Sequence, residues 1–548
     1  MAKPKLALIP AAQGDKFYSV LPSDGVGDFD FTRNSSATRI APTGFIQEVG
    51  AFGSELASQP VNLVNDFSNN SGGVIVDADT FTTSGGTSDG IVAKTNIISL
   101  TVGKTYTIQI EGNTTSSGFT LGSGSGTGNE YGSGFGTHIF VSLNIQLWIR
   151  QTTSGTTNIT KLTIKEVVGN KSRLNYDLLN GKVVNCPHYL LEPARTNLIT
   201  YSEDFSQSYW VKSGSSVASG FVSPKGDLSA FKLVESSTTS THELEVIGTA
   251  VVADKYTISL FAKAGERGKL QVKLRNYFAG DPRVIFDLEN GTFEQNVQAI
   301  GSMTLLSNGF YKCTFTTVLN AIAGGNAILN VNLVDEANQT SYTGDGTSGV
   351  YIYGAQLEQG TYPTSYIPTN GTAITRAAET ADGSGNAATF NDSEGVLMAE
   401  ISANETSNAS DRRVISLSDT TNSNRLYISF DDEYNKLNIF IIVGGTVVTT
   451  SNVDISNQNL FNKISVKYKS GSSSIYVNGF LVESFNNTFS GGNFTTLKFN
   501  NRGSGEYFYG NTRELQYFDS ALTDAQLETL TSWTSLQEMI TSQLYTNY

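Results

Sequence analysis

Alternation of apolar and polar residues with a period of two is the feature that most limits what this chain can fold into. It recurs along the sequence, for example in YTIQI from Tyr106, YTISL from Tyr256 and ISVKY from Ile464. The three- and four-residue spacing of amphipathic helices is almost absent. Short strands separated by Gly, Asn and Ser turn signals are typical of β-sandwiches. The sequence therefore predicts an all-β fold with several antiparallel β-sandwich (jelly-roll) domains in tandem.

One stretch near the C terminus departs from this pattern. Thr523 and Gln526 have the spacing of a capping box at the start of a helix. Apolar residues then follow at three- and four-residue steps: Leu527, Leu530, Trp533, Leu536, Ile540 and Leu544. The spacing predicts one amphipathic helix from about Asp524 to Leu544, which covers the last sandwich.

Length and charge exclude several classes of protein. At about 150 residues per domain, 548 residues predict three to four folding units. The net charge is −14, and no basic run occurs. Binding to nucleic acid or to an anionic membrane needs clustered Lys and Arg, so neither is expected. No stretch approaches the roughly 20 apolar residues of a membrane-spanning helix, and the N-terminal apolar stretch is too short for a signal peptide. We therefore expect synthesis in a cytoplasm and no insertion into a membrane.

The residues of nucleophilic and metal chemistry are scarce. Two cysteines, Cys186 and Cys313, and three histidines provide neither a disulfide framework nor a zinc site. Cys186 and His188 form a conceivable catalytic dyad, but residues two apart on a strand are more typical packing neighbours. We expect no catalytic residues, no metal ligands and no cofactor.

Several carboxylates are candidate ligands of a structural calcium ion. Asp431, Asp432 and Glu433 fall in a predicted turn, and Glu203 and Asp204 precede an aromatic stretch. Solvated turn and capping residues are the alternative, because calcium needs six to eight oxygen ligands.

Two other carboxylates lie in apolar surroundings. For Glu192 and Glu358 we expect burial as partners of Arg195 and Arg173, since a buried carboxylate needs a paired charge.

Flat aromatic faces beside polar loop residues are what sugar recognition requires. One loop joins Tyr277 and Phe278 to Asp281 and Arg283. Another carries Tyr507, Phe508 and Tyr509 near Asn501 and Arg502, and a third carries Tyr209 and Trp210. The candidate glycan-binding residues are Tyr277, Phe278, Tyr507, Tyr509 and Arg502. For Phe508 and Trp210, a place in the core is the alternative.

Two separated stretches resemble a module of bacteriophage tail-fibre and related virion proteins. They are FYSVLPSDGVGDFDFTRNSSATRI and SRLNYDLLNGKVVNCPHYLLEPARTNLITYSEDF. That family joins R-x-S-x-A-T-R to R-L-D-Y and then to C-P-x-L-L-L-E-P-x-R-T-N-L. The matching residues are Arg33, Ala37, Thr38, Arg39, Arg173, Leu174, Tyr176, Cys186, Pro187, Leu190, Leu191, Glu192, Pro193, Arg195, Thr196, Asn197 and Leu198. We expect structural roles for Arg33, Arg39, Arg173, Cys186, Glu192, Arg195 and Asn197. Asn175 replaces the Asp of the family.

The resemblance also implies a domain division. The spacer between the first two elements exceeds a hundred residues, which indicates an inserted domain. Residues 1–56 with 169–199 would form a split N-terminal virion-attachment module, and 57–168 an inserted β-sandwich. Residues 200–379 resemble a carbohydrate-binding sandwich. Residues 380–548 resemble a laminin-G or concanavalin-like sandwich with a terminal helix.

The resemblance implies a virion protein at the host-facing periphery. It would be a tail fibre or receptor-binding protein, a homotrimer that contacts other virion proteins and binds host surface polysaccharide without catalysis. It would be made in the host cytoplasm and released by lysis. Two alternatives stay open: a polysaccharide depolymerase whose site lies in the C-terminal jelly roll, and a head fibre or adaptor that binds other virion proteins.

Overall fold

The computed structural model describes residues 3–13, 16–50, 52–86, 88–124, 130–167, 171–276, 278–322, 325–403, 412–431, 433–501 and 506–534. Within these ranges the chain forms 45 strands and two short helices. The all-β fold class predicted from the alternation is confirmed.

The strands follow one another along the whole described chain. The first six are β1 Leu6–Gln13, β2 Lys16–Leu21, β3 Phe29–Thr32, β4 Ala37–Ile40, β5 Ile46–Val49 and β6 Phe52–Glu55. The next segment contains α1 Leu63–Asp66, β7 Phe67–Asn70, β8 Gly73–Ile75, β9 Thr80–Thr83, β10 Gly90–Ala93, β11 Thr105–Thr114, β12 Thr120–Gly122, β13 Glu130–Ser133, β14 Gly136–Val141, β15 Trp148–Arg150 and β16 Gly155–Val167. Three strands follow: β17 Leu174–Leu179, β18 Lys182–Leu191 and β19 Arg195–Asn197.

The remaining elements lie C-terminal to residue 200. The central segment contains β20 Trp210–Ser213, β21 Ser215–Phe221, β22 Ala230–Glu235, β23 Thr239–Thr241, β24 Glu243–Val251, β25 Tyr256–Ala264, β26 Lys269–Arg275, β27 Arg283–Asp287, β28 Thr292–Val297, β29 Ala299–Leu305, β30 Tyr311–Thr317, β31 Gly325–Leu333, β32 Ser341–Thr343 and β33 Gly349–Gln359. The last segment contains β34 Ile374–Arg376, β35 Thr380–Asp382, β36 Glu394–Ala403, β37 Arg413–Ser418, β38 Arg425–Phe430, β39 Lys436–Val443, β40 Thr446–Asp454, β41 Asn462–Lys469, β42 Ser473–Val477, β43 Phe480–Phe485, β44 Thr496–Lys498, β45 Gly510–Phe518 and α2 Asp524–Thr531.

The C-terminal sandwich includes strands from the start of the chain. Its larger sheet has eleven strands, in the order β35-β3-β2-β1-β45-β36-β41-β42-β43, with β18 paired to β45 and β17 to β18. The five-stranded sheet β40-β39-β38-β37-β44 shares a core with it. Phe17, Tyr189 and Ile428 are all buried in that core. The division into four units stays a prediction, and this one sheet joins residues from the N-terminal module to the last sandwich.

Two further sandwiches lie between these segments. In the inserted one, the five-stranded sheet β13-β12-β15-β10-β7 and the six-stranded sheet of β14-β11-β16-β9-β8 and β6 share a core. In the central one, two six-stranded sheets, β20-β24-β31-β26-β27-β28 and β21-β22-β33-β25-β30-β29, share another. Trp210 is buried in the central core and Phe508 in the C-terminal core, so the core alternative holds for both.

Two hairpins of the C-terminal sandwich have short connections. Strand β38 pairs with β39 around the turn at Asp431, and β41 pairs with β42. Asn478 (φ 51°) and Gly479 (φ 88°) both have positive φ between β42 and β43, as a two-residue hairpin turn requires.

The predicted C-terminal helix is shorter than the periodicity indicated. The capping box is present, because Thr523 N–H donates to Gln526 Oε1 at 2.9 Å and Gln526 N–H to Thr523 Oγ1 at 3.3 Å. The helix ends at Thr531, and Ser532 is extended (ψ 155°). The hydroxyls of Thr531 and Ser532 donate back to the carbonyls of Leu527 (2.9 Å) and Glu528 (2.7 Å), which satisfies acceptors at the helix end.

The prediction of one helix to Leu544 is therefore wrong at Ser532. Leu536, Ile540 and Leu544 lie outside the described residues. Neither helix of the described chain has the length and apolar character needed to cross a bilayer.

Candidate functional site

The motif residues surround a buried cluster of charges. Glu379 Oε1 accepts from Arg33 Nη1 at 2.6 Å and from Arg173 Nε at 2.8 Å. Arg173 Nη2 also donates to the second oxygen of Glu379. These three side chains are fully buried. Charge-assisted hydrogen bonds of this kind are needed to hold ions away from water.

A second carboxylate extends the same cluster. Glu192 Oε2 accepts from Arg173 Nη2 at 2.8 Å and lies 3.0 Å from Arg376 Nη1. Ser365 donates its N–H to Oε1 (2.8 Å) and its hydroxyl to Oε2 (2.6 Å). Burial by itself would raise the pKa of Glu192, but Arg376 and Arg173 outweigh it and hold the pKa well below its usual range. Glu192 is therefore charged in the folded chain.

This buried charge cluster, formed by Arg33, Arg173, Arg376, Glu192 and Glu379, connects stretches far apart in sequence. Arg33 and Glu379 are 346 residues apart, and Arg173 and Glu379 are 206 apart. Arg173 also donates to the carbonyl of Thr38 at 2.7 Å. The side chains of the cluster are at most 4% exposed, so their hydrogen bonds hold the N-terminal segments against the chain around Ser365 and Glu379.

The other motif residues have local structural contacts. Asn197 is fully buried, donates to the carbonyls of Ala355 (3.1 Å) and Ile367 (2.8 Å), and accepts two backbone N–H groups. Arg39 donates to Gln47 Oε1 at 2.9 Å. Arg195 does not pair with Glu192; its guanidinium lies over the Tyr362 ring at 5.3 Å.

Glu192 has a predicted arginine partner in Arg173, whereas Glu358 has none among the described residues. Glu358 accepts from Gln356 Nε2 (2.8 Å), from Thr364 N–H (2.9 Å) and from the Thr364 hydroxyl (2.7 Å). Backbone and amide donors therefore replace the expected ion pair, as a buried carboxylate needs some hydrogen-bonding partner.

Cys186 and His188 lie in different environments, although both are on β18. Cys186 is exposed, whereas His188 is 1% exposed. On β17, Asn175 pairs with His188 and Asp177 pairs with Val184 of β18. Strand β18 therefore bulges between Val184 and His188. The bulge explains why two residues that alternation would place together are separated.

Of the five candidate glycan-binding residues, two can be placed at the protein surface. Tyr277 and Arg502 lie outside the described residues. Phe278 is 2% exposed and packs edge-on against Tyr256 at 5.7 Å, so its ring faces the core. Tyr507 and Tyr509 are half-buried, with ring centroids 6.0 Å apart, and Arg413 lies over the Tyr509 ring at 5.3 Å.

A second aromatic pair lies on the outer face of the five-stranded sheet, where Phe440 is half-buried and Tyr427 is 7% exposed. Leu426, Ile428 and Phe430 of β38 are in the core, so alternation turns Arg425 and Tyr427 to the other face. Tyr427 pairs directly with Phe440 of β39, and their rings stack at 5.3 Å with an interplanar angle of 10°. The Arg425 guanidinium lies 5.5 Å from the Tyr427 ring centroid and 5.8 Å from that of Phe440.

Polar groups surround this aromatic pair. On one side Arg425 Nη1 donates to Asn501 Oδ1 at 2.9 Å. On the next row of the sheet, Asn438 Nδ2 donates to Asn452 Oδ1 at 2.7 Å. We call Arg425, Tyr427, Asn438, Phe440 and Asn452 the outer aromatic face.

The electrostatics of the outer aromatic face favour an anionic or neutral ligand. Burial raises the pKa of the Tyr427 phenol, against the opposing effect of Arg412 and Arg425. The phenol therefore stays neutral and its hydroxyl keeps its proton at physiological pH. Phe440 is the more exposed ring of the pair, so it is the one that can stack on a sugar ring, while the neighbouring guanidinium and amides hydrogen-bond hydroxyl or carboxylate groups.

The carboxylates considered for calcium have other partners. Glu203 lies 3.2 Å from Lys225 Nζ, and Asp431 lies 3.0 Å from Arg412 Nε. Glu433 pairs with Lys436 at 2.5 Å, Asp204 accepts from Ser206 and Gln207, and Asp432 is outside the described residues. Across the described ranges, no three His, Cys, Asp or Glu side chains form a metal-binding group. The calcium ion stays a prediction that these contacts do not support.

The sequence interpretation missed Tyr427 and Phe440, as well as Arg376 and Glu379. A signal existed for the first pair, since both rings occupy the polar positions of the alternating stretches RLYISF and KLNIFIIV. For the second pair the signal was two opposite charges in TRAAE, in a chain with only 16% charged residues.

Comparison with known proteins gives one family match. Residues 385–528 match the concanavalin A-like lectin/glucanases superfamily, which confirms the concanavalin-like sandwich predicted for this part of the chain. The outer aromatic face lies within it. No curated protein matches the chain.

Solved structures give weak likenesses only. The Ruminococcus gnavus IT-sialidase CBM40 bound to alpha2,3 sialyllactose is 13% identical, with 27% of this chain and 93% of that chain covered, at a TM-score of 0.23. The CBM22-1-CBM22-2 tandem of Paenibacillus barcinonensis Xyn10C is 14% identical over 57% and 98%, with a TM-score of 0.21. Domains LG4-5 of the mouse laminin alpha1 chain are 10% identical over 55% and 90%, with a TM-score of 0.19. TM-scores this low carry no functional argument.

Proposed function

We propose that this protein binds surface polysaccharide, without cleaving it, through the outer aromatic face. The observation that carries the proposal is the stacked pair of Tyr427 and Phe440 beside the Arg425 guanidinium. The pair lies in the segment that matches a superfamily of lectins and glucanases. The guanidinium directs the proposal to glycans that carry carboxylates, because a planar cation recognises that group by paired hydrogen bonds.

The biological setting we propose is a bacteriophage virion. The protein would be a tail fibre or receptor-binding protein, trimeric, anchored to other virion proteins and released with the particle by lysis. The support is the R-x-S-x-A-T-R and L-L-E-P-x-R-T-N-L motifs, which contribute Arg33 and Glu192 to the buried charge cluster. Mass spectrometry of purified particles tests this setting, and absence of the chain from the particles would refute it.

Binding without catalysis is part of the proposal. A glycosidase needs two carboxyl groups free to exchange protons with the glycosidic bond and water. Near the outer aromatic face, Asp431 is paired with Arg412, and Glu506 accepts from Asn501. Release of reducing sugar from host polysaccharide would contradict this part and support the depolymerase alternative.

Replacing Phe440 with alanine is expected to weaken binding of polygalacturonate about tenfold, or about 1.4 kcal/mol, because one stacking ring is lost. Arg425→Gln is expected to weaken polygalacturonate binding more at low salt than at high salt. The attraction that it removes, between the guanidinium and the carboxylates of the glycan, is screened at high salt. Affinity electrophoresis of the full chain measures both effects.

The matched control is Phe480→Ala. Phe480 is 74% exposed on β43, in the opposite sheet of the same sandwich. Its replacement is expected to leave binding unchanged. Equal losses for the two phenylalanine variants, or no binding of any polysaccharide by the unmodified chain, would refute the assignment of the site.

A further inference from the structure

A polar cleft of about 740 Å³ lies between the inserted and central sandwiches. One wall is β11, where Gln109, Glu111 and Asn113 alternate on one face while Ile108 is in the core. The volume falls within the range of about 300–1,000 Å³ that is usual for small-molecule sites. It therefore suits a short oligosaccharide.

The opposite wall is the loop between β19 and β20. Tyr201, Asp204 and Gln207 line the cleft from this side. The loop is held in place, because the Tyr201 carbonyl accepts from Trp210 Nε1 at 2.8 Å and Asp204 Oδ2 accepts from Gln207 Nε2 at 2.7 Å. Phe135 and Phe231 add apolar ring surface.

One contact fixes the distance between the walls. Asn370 forms a β-bridge with Tyr201 and donates its side-chain N–H to Glu111 Oε1 at 3.2 Å. The cleft is therefore formed in the folded chain without a ligand, which lowers the ordering cost of binding.

The cleft is rich in hydrogen-bond acceptors. Glu111 Oε1 accepts from Gln109 (2.9 Å), Lys161 (3.1 Å) and Asn370, whereas no donor of the described chain reaches Oε2. The side-chain carbonyls of Gln109 and Gln207 are likewise without a donor among the described residues. Hydroxyl and ammonium groups of a sugar can supply these missing donors.

The charge of the cleft is negative. Glu111, Glu203 and Asp204 line it, and no lysine or arginine is among the described lining residues. Lys161 and Lys225 pair with Glu111 and Glu203, but Asp204 has no ion pair in the described part of the chain. Burial raises the pKa of Tyr201, and the nearby Asp204 and Glu111 carboxylates raise it further.

We propose that this cleft is a second saccharide site, which takes short oligosaccharides without carboxylates and takes amino sugars best. Its charge is opposite to that of the outer aromatic face, where arginines favour anionic glycans. The two sites would therefore recognise different components of one surface. This site does not depend on the function proposed for the outer aromatic face.

Isothermal titration of the full chain with three trisaccharides tests the proposal. We expect the glucosamine trimer to bind most tightly and the N-acetylglucosamine trimer to bind more weakly. The galacturonate trimer should bind about tenfold more weakly in the Phe440→Ala variant than in the unmodified chain. Glu111→Gln is expected to weaken binding of the glucosamine trimer about tenfold and to leave that of the N-acetylglucosamine trimer within about twofold. Asn113→Trp, at an exposed position whose side chain has no hydrogen bond to the described residues, is expected to abolish both by filling the cleft.

The matched control is Thr292→Trp, at an exposed position of β28 that does not line the cleft. It should bind like the unmodified chain, and so should Phe440→Ala with the glucosamine trimer. No binding of either hexosamine trimer, or binding that survives Asn113→Trp, would overturn the proposal. Tenfold weaker polygalacturonate binding in Phe440→Ala, with binding of the two hexosamine trimers unchanged, would support the two sites separately.

Discussion

Replacing Arg173 with methionine is expected to lower the free energy of unfolding by about 3–5 kcal/mol, because it leaves Glu192 and Glu379 buried with fewer partners. Arg173 donates to both carboxylates and to the carbonyl of Thr38, and its side chain is fully buried. Methionine fills a similar volume, so the loss reports charge and hydrogen bonding more than packing. Urea denaturation followed by intrinsic fluorescence measures it.

An exposed ion pair provides the control. Lys16 lies 3.5 Å from Asp30, and their side chains are 41% and 76% exposed. Lys16→Met is expected to cost less than about 1 kcal/mol. In the double variant Arg173→Met with Glu379→Gln, the loss should be smaller than the sum of the single losses, since the carboxylate that loses its partner is also neutralised. Equal costs for Arg173→Met and Lys16→Met would rule out a stabilising role for the cluster.

The fold class could be read from the sequence because alternation is a local signal. Each strand carries its own pattern, as RLYISF and KLNIFIIV do for β38 and β39. The association of strands β1–β3 with β45 and β35 could not be read, because it depends on pairing across most of the chain. The same holds for the charge cluster: the motif identified Arg33, Arg173 and Glu192, but their shared partner Glu379 is distant in sequence from all three.

The candidate site shows a similar limit. Aromatic residues in loops were the sequence criterion, which selected Phe278, a core residue, and the half-buried Tyr507 and Tyr509, but neither ring of the outer aromatic face. Tyr427 and Phe440 are on strands, and their stacking follows from the register of β38 against β39. Register is fixed by the whole sandwich, so a search confined to loops could not find this pair.

Acid is expected to destabilise the folded chain through His188. Burial, with a further contribution from Arg513, lowers the pKa of His188 from 6.5 to about 4, although Asp177 acts in the opposite direction. Between these values the unfolded chain binds a proton at this residue and the folded chain does not. The contribution of His188 to the free energy of unfolding is therefore constant well above pH 6.5. It falls as the pH is lowered towards 4, by about 2 kcal/mol at pH 5. Urea denaturation at pH 7.5 and pH 5 measures the difference.

Two variants separate this effect from the titration of other groups. His188→Gln retains an acceptor for Asn175 Nδ2, which lies 3.2 Å from His188 Nε2, but does not titrate, so its loss between pH 7.5 and 5 should be about 2 kcal/mol smaller. Asn175→Asp introduces a carboxylate at this position, and its side chain can still accept from the N–H of Ile40. A carboxylate beside the imidazole stabilises the protonated ring and raises its pKa. This variant should therefore also lose less stability in acid, while keeping the histidine. An unchanged pH dependence in both variants would show that His188 does not control the response to acid.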